Sequence, residues 1–349
     1  MSHVSTLPAP RSRRLWPLLR ALAAVTVIAL GLFLGAVKVA QFRLAGQVAV
    51  PPGQLIDVGT HRLHLHCQGP VALGAPTIVL EAGLGETSLT WAGVMSGLAA
   101  SHRVCAYDRA GYGWSDPAPM PPGASSTVAD LHRLLGAAGE QPPYVLVGHS
   151  LGGVYARLFA HTYPAETAGL VLLDPSHEEM TSRLPEDWQA HMRAANTEAA
   201  AGLGVPTLLA DYGIAALFPQ LAQADSRLPA EAQAALRALG GASGKGFRAL
   251  AGELGASEAI LAEVRAAQIT NLGDLPLVVI KAGAMPAGAP PAGLSPFTPD
   301  YDLHDELAAQ SSRGTLITLG EAGHYVHYDA PTQVIDTVNR VMAAANGSN

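Results

Sequence analysis

Cysteine is nearly absent: the chain holds two, Cys67 and Cys105, among 349 residues. Two thiols are too few for a disulfide-built scaffold or a four-ligand zinc cage. Cations are scarce as well, with 21 Lys and Arg against 28 Asp and Glu and a net charge of -7. Phosphate recognition needs clustered Lys and Arg, so a nucleic-acid partner is excluded. Charged residues make up only 14%, but hydrophobic residues reach 49%, so 37 Gly and 26 Pro do not make this a disordered chain. No internal repeat is visible. The length allows one large α/β domain or two smaller ones, with a sizeable core.

The cations that are present gather near the N-terminus. Residues 15–37, LWPLLRALAAVTVIALGLFLGAV, carry Arg20 as their one charge. A helix rising about 1.5 Å per residue needs roughly 20 apolar residues to cross a bilayer core. Arg11, Arg13, Arg14 and Arg20 precede or open the run, and Lys38 and Arg43 follow it. The positive-inside bias then makes 1–14 a cytoplasmic tail and 15–37 a single-pass transmembrane anchor, with the remainder extracytoplasmic. Secretion after signal-peptide cleavage is the alternative. The length of the run favours the anchor, as does Lys38, which stands where a small-residue cleavage site would be. A buried core helix fits less well, because no amphipathic stripe is visible. Residues 38–53 read as a linker ending in Pro51, Pro52 and Gly53.

Beyond it, strands and helices alternate. QLIDVG and HRLHLHCQG alternate polar and apolar residues about Gly59-Thr60, as a hairpin does. PTIVLEAG (76–83), RVCAYD (103–108), PYVLVG (143–148) and GLVLLDP (169–175) read as buried strands, with helical spacing at 88–101 and 126–139. This rhythm predicts right-handed crossovers and a mostly parallel sheet with helices on both faces. It stops after Asp174. Residues 176–272 show only Ala- and Leu-rich helical segments and read as a helical cap inserted between the sixth and seventh strands. Strands at 275–283 and 314–320 and a last helix, TQVIDTVNRVMAAA, resume the pattern. The core is therefore 54–175 plus 273–349.

Gly148-His149-Ser150-Leu151-Gly152 fits the G-x-S-x-G nucleophile elbow and lies between a strand and a helix, as that motif requires. The rival reading is an ordinary turn serine. A serine hydroxyl needs a base, and His324 follows the strand 314–320, whose end points to the same sheet edge as Ser150. His327, three residues on, reads as structural. The carboxylate that orients the base is Asp174, at the end of the sixth strand, or one of Asp300, Asp302 and Asp305 after the seventh. Asp108, Arg109, Glu81 and Glu86 lie near the same loops. Asp108 and Arg109 read best as loop braces, and the other two stay open.

The segments LEAGLGE, YDRAGYGWSDP, YVLVGHSLGGVYARLFAHTYP, GLVLLDPSH and GEAGHYVHYDAP, in this order, resemble the α/β-hydrolase-fold serine hydrolases from about Gln54 to the C-terminus. Two departures stand out. The glycine after the seventh strand is Gly283, and Pro286 occupies the usual acid position, which favours Asp174. The loop after the third strand reads Ala82-Gly83-Leu84 where many relatives have His-Gly-x. The resemblance implies an oxyanion hole from the backbone N–H groups of Leu84 and Leu151. In this fold the second and fourth strands are neighbours, which brings Cys67 and Cys105 within disulfide range, and an exported domain permits the bond.

The resemblance implies a hydrolase without cofactor or metal, and the apolar run at 15–37 adds a membrane anchor to it. It would cleave a small carboxylic ester through an acyl-enzyme on Ser150. Amide, peptide, lactone or C–C bond hydrolysis, acyl transfer, or a non-catalytic anchored binding protein are the alternatives. Trp188, Tyr212, Phe218 and Phe247 of the cap are expected to wall the site.

Overall fold

The computed structural model describes residues 12–347, apart from 219, 221–223 and 284–302. Its first helix, α1 (Ser12–Gln47), does not end at Lys38. The expected linker is therefore helical through Gln47. Val37, Leu44 and Val48 are buried at helical spacing, and the last two join Ala216 and Ala238 in one apolar cluster. Gln41 Nε2 donates to the carbonyls of Ala210, Asp211 and Ala242. Packing against the cap thus extends a helix that its own sequence marks only over the apolar run.

The hairpin follows as β1 (Gln54–Asp57) and β2 (Arg62–Gln68). Then come β3 (Thr77–Glu81), α2 (Ala92–Leu98), β4 (Val104–Tyr107), α3 (Ala124–Ala138), β5 (Tyr144–His149), α4 (Leu151–Thr162) and β6 (Thr167–Leu173). The insertion holds α5 (Glu186–Gly202), α6 (Gly204–Asp211), α7 (Ala230–Ala242) and α8 (Lys245–Ala266), with no strand among its described residues. The chain closes with β7 (Leu277–Ala282), α9 (Leu303–Ala308), β8 (Gly314–Leu319), α10 (Val326–Asp329) and α11 (Pro331–Asn346).

These strands form one sheet in the order β1-β2-β4-β3-β5-β6-β7-β8. β2 pairs antiparallel with β1 and β4, and the other pairs are parallel. Successive residues of a strand point to opposite faces. Val79, Cys105, Leu146 and Leu172 therefore meet α3, α4 and α8 on one side. Ile78, Leu80, Val145 and Val147 meet α2 and α11 on the other. The α8 residues Ile260, Leu261 and Val264 belong to the first of these clusters. The cap boundary at 272 is thus too generous, because the end of α8 closes one face of the sheet.

Chain order reverses at β3, whose neighbours are β4 on one side and β5 on the other. Loops leaving β3 and β5 diverge there and open a crevice at the carboxyl edge, where ligands bind in open α/β sheets. Cys67 and Cys105 are directly paired across β2 and β4, with Cα atoms 4.0 Å apart, and form a disulfide. It closes a 38-residue separation, and Cys105 is wholly buried. Reduction should lower the unfolding free energy by about 2–4 kcal/mol, read as a lower urea midpoint in detergent with dithiothreitol than without.

Candidate active site

The corner between β5 and α4 is a single residue. Ser150 has φ 51° and ψ -120°, a conformation rarely taken by residues with a side chain. Its N–H donates to the Leu173 carbonyl, and its own carbonyl accepts from the N–H groups of Gly153 and Ser176. Two glycines make the corner possible. A Cβ on Gly148 would stand 2.6 Å from the Gly152 carbonyl oxygen, and one on Gly152 would stand 2.4 Å from that of Glu81. Neither contact can be relieved by moving a side chain, since both are with backbone.

Three of the singled-out residues meet at this corner. His324 Nε2 lies 3.1 Å from Ser150 Oγ, and His324 Nδ1 lies 2.7 Å from Asp174 Oδ2. Asp174 directly follows β6, and its Oδ1 accepts the Ala282 N–H at 2.9 Å and lies 3.5 Å from His304 Nε2. Burial pushes this carboxyl up, but hydrogen bonds from His304, His324 and Ala282, with the charge of His324, hold it well below the usual range. Asp305 is exposed on α9, and no hydrogen bond or ion pair joins it to His324. Asp300 and Asp302 lie outside the described residues.

The loop after β3 is held from beneath. The Arg109 guanidinium donates to the carbonyls of Ala82 and Gly83, and pairs with Glu81 of β3 and Glu253 of α8. Tyr112 and Tyr155 hydroxyls also donate to Glu253. Among the described residues neither the Leu84 N–H nor the Leu151 N–H has a protein acceptor.

A second brace was open in the sequence. Glu86 Oε2 accepts the Gly83 N–H at 2.6 Å and lies 2.9 Å from His149 Nδ1. His149 Nε2 lies 2.9 Å from the carbonyl oxygen of His324. Both ring nitrogens of His149 therefore face oxygen atoms, which favours the imidazolium while Glu86 is ionised. Burial alone would lower the His149 pKa, but the charge and hydrogen bond of Glu86 raise it. Burial would raise Glu86, yet His149 holds it down at about 2. Burial and the nearby His149 charge push His327 down to about 3. Glu86, His149 and His327 bring ligand-type atoms within 4.8 Å of one another. Within this set Glu86 and His149 are joined by a hydrogen bond and form a brace.

Of the four cap aromatics, Trp188, Tyr212 and Phe218 are 37%, 67% and 46% exposed, and Phe247 is half-buried. Leu250 of α8 packs against the loop after β3: its Cδ1 lies 3.2 Å from where a Cβ of Gly85 would be.

The profile described as alpha/beta hydrolase fold matches residues 76–331. The chain belongs to the alpha/beta hydrolase fold family. Among curated proteins it is 40% identical over 136 residues to a "Probable transporter efuK" of Hormonema carpetanum, covering 38% of this chain and 20% of that protein. It is 37% identical over 131 residues to uncharacterized YqjL of Bacillus subtilis (strain 168), covering 37% of this chain and 52% of the relative. The chain thus spans a fifth and about half of these relatives. A solved Pseudomonas aeruginosa structure, a candidate epoxide hydrolase, superposes with a TM-score of 0.64 at 18% identity, covering 84% of this chain and 96% of that one. At that identity the likeness concerns the fold.

The brace titrates at both ends. The lowered Glu86 contributes stability above about pH 4.5, which is lost as pH falls through about 2. The raised His149 contributes fully below about pH 6.5, and this is lost as pH rises through its folded value. In thermal unfolding against pH, His149→Gln should be less stable near pH 5.5 and should lack the alkaline part of the wild-type decline.

Proposed function

We propose that this family member is a serine hydrolase that cleaves carboxylic esters through an acyl-enzyme. The observation that carries the reading is the placement of one imidazole, 3.1 Å from Ser150 Oγ on one side and 2.7 Å from Asp174 on the other. Ser150 Oγ bonds to the ester carbonyl carbon as its proton passes to His324 Nε2. Asp174 keeps the Nδ1 proton in place and offsets the positive charge on the ring. The carbonyl oxygen becomes an oxyanion, accepted by the N–H groups of Leu84 and Leu151. Collapse breaks the C–O bond, and the leaving alkoxide takes the proton from His324. Water then attacks the acyl-enzyme with His324 as base, the acid departs, and Ser150 regains its proton.

A serine at the elbow argues against epoxide hydrolysis, which in this fold uses a carboxylate at that corner. Amide, peptide, lactone or C–C bond cleavage and acyl transfer would use the same residues.

The same proposal includes a membrane anchor with the catalytic domain outside the cytoplasm. Within residues 15–47 of α1 the most apolar window has a mean hydropathy of 2.3 and is only 6% buried. The Cys67–Cys105 disulfide suits an oxidising compartment. Protease added to intact spheroplasts should then digest the C-terminal domain, and full protection would overturn this orientation.

A fluorophosphonate probe tests the chemistry. Wild type should label and Ser150→Ala should not; equal labelling of both would sink the assignment. Asp174→Asn should lower kcat on a chromogenic ester by on the order of 10⁴-fold, as loss of the tautomer-fixing carboxylate does in a serine protease. Asn at 300, 302 or 305 should leave turnover near wild type. The opposite pattern would move the acid to that segment.

A further inference from the structure

The outer face of α6 runs against the usual pattern of a cap helix. Val205, Leu208, Leu209 and Tyr212 fall at i, i+3, i+4 and i+7, and are 66%, 56%, 40% and 67% exposed. That spacing puts them on one side of the helix. A helix on a water-facing surface turns polar residues outward; here the outward stripe carries no charge, while Ala210 is wholly buried. Phe218, 46% exposed, ends the 3-10 turn that follows.

The position of this face relative to α1 says what covers it. Gln41 of α1 donates to the carbonyls of Ala210 and Asp211, at the end of α6. A Cβ on Gly213 would stand 2.7 Å from Gln41 Oε1, so the two helices meet closely there. Val37, one turn before Gln41, is the first buried residue of α1 from Leu15 on, and the residues from 15 to 36 are exposed. At about 1.5 Å per residue that exposed length is about 33 Å, close to the roughly 30 Å of a bilayer's hydrocarbon core. The contact at Gln41 then lies only about 7 Å further along the helix, within the headgroup layer. Polar groups cluster at this level. Lys38 Nζ bonds Gln41 Oε1, and Arg248 pairs with Asp211 at the end of α6. Tyr212, with an apolar ring and a polar tip, belongs to the residue types enriched at that depth.

We propose that the α6 face is a second membrane contact, which seats the cap in the headgroup region beside the point where α1 enters the bilayer. The proposal rests on the reading of α1 as a membrane anchor. One occupant, the lipid interface, accounts for both apolar surfaces, because α1 and α6 are fastened to each other at Gln41. The cap is then held against the membrane at two places, and the catalytic corner beneath it keeps a constant distance from the lipid.

Both native cysteines are disulfide-bonded, so a single introduced thiol can be labelled in the full-length chain. Leu208→Cys, Leu30→Cys and Leu73→Cys place an environment-sensitive fluorophore on α6, in α1, and on the fully exposed loop between β2 and β3. Each labelled protein is reconstituted into phosphatidylcholine–phosphatidylglycerol vesicles carrying nitroxide lipids, with the nitroxide in the headgroup or on the acyl chain. The expected result is loss of emission at 30 with acyl-chain nitroxide, loss at 208 with headgroup or shallow nitroxide, and none at 73. Quenching at 30 without quenching at 208 overturns the second contact and leaves the anchor standing. A blue-shifted but unquenched signal at 208, with oxidative cross-linking between 208 positions of two chains, assigns the face to a second copy and also overturns it. Absence of quenching at 30 overturns the anchor reading and this proposal together.

Discussion

The fold near the site depends on one backbone constraint, the close packing of the first turn of α4 against the ends of β3 and β5. Gly152 lies so near the Glu81 and Ala82 carbonyls that no Cβ fits between them. This approach compresses the strand-to-helix turn to Ser150 alone and forces that residue to positive φ. The hydroxyl is consequently lifted off the sheet edge, where it meets an imidazole from a loop 174 residues later. A wider corner would let the serine relax into an ordinary turn and would part it from His324.

Around that corner two charged braces act on the same loop from different directions. Arg109 fixes its carbonyls and ties them to Glu253, a residue of α8. The Glu86–His149 pair fixes the Gly83 N–H and reaches on to the carbonyl of His324. The residue beside the elbow serine thus joins the loop after β3 to the loop after β8. Buried ion pairs of this kind add little net stability, since each charge loses its hydration. Their effect is to restrict geometry: the loops cannot shift independently while both partners stay paired.

Much of this was legible in the sequence for local reasons. Continuous apolar runs mark strands covered on both faces, and β3 to β6 came out where those runs lie. The elbow is legible because the backbone approach admits only glycine at two positions, which leaves a fixed spacing around Ser150. Asp174 and His324 were legible by position, because parallel strands deliver their C-terminal ends to one edge. The pairing of Cys67 with Cys105 followed from strand adjacency. The helical extension of α1 to Gln47 was not legible, because residues 38–47 become helical through contacts with a cap far along the chain.

The sequence by itself therefore determined the class of sheet, the insertion after Asp174, the apolar N-terminal helix and the residue types gathered at the carboxyl edge. Each follows from local periodicity or from a steric demand that one residue type alone meets. Only the tertiary structure decided that His149 lies between Glu86 and the His324 carbonyl and that Arg109 links the β3 loop to α8. It also decided that α1 is fastened to α6. Those outcomes depend on which groups from distant segments meet in a low-dielectric interior, where one hydrogen bond or charge sets the state of its neighbour. Spacing along a chain carries no record of such encounters.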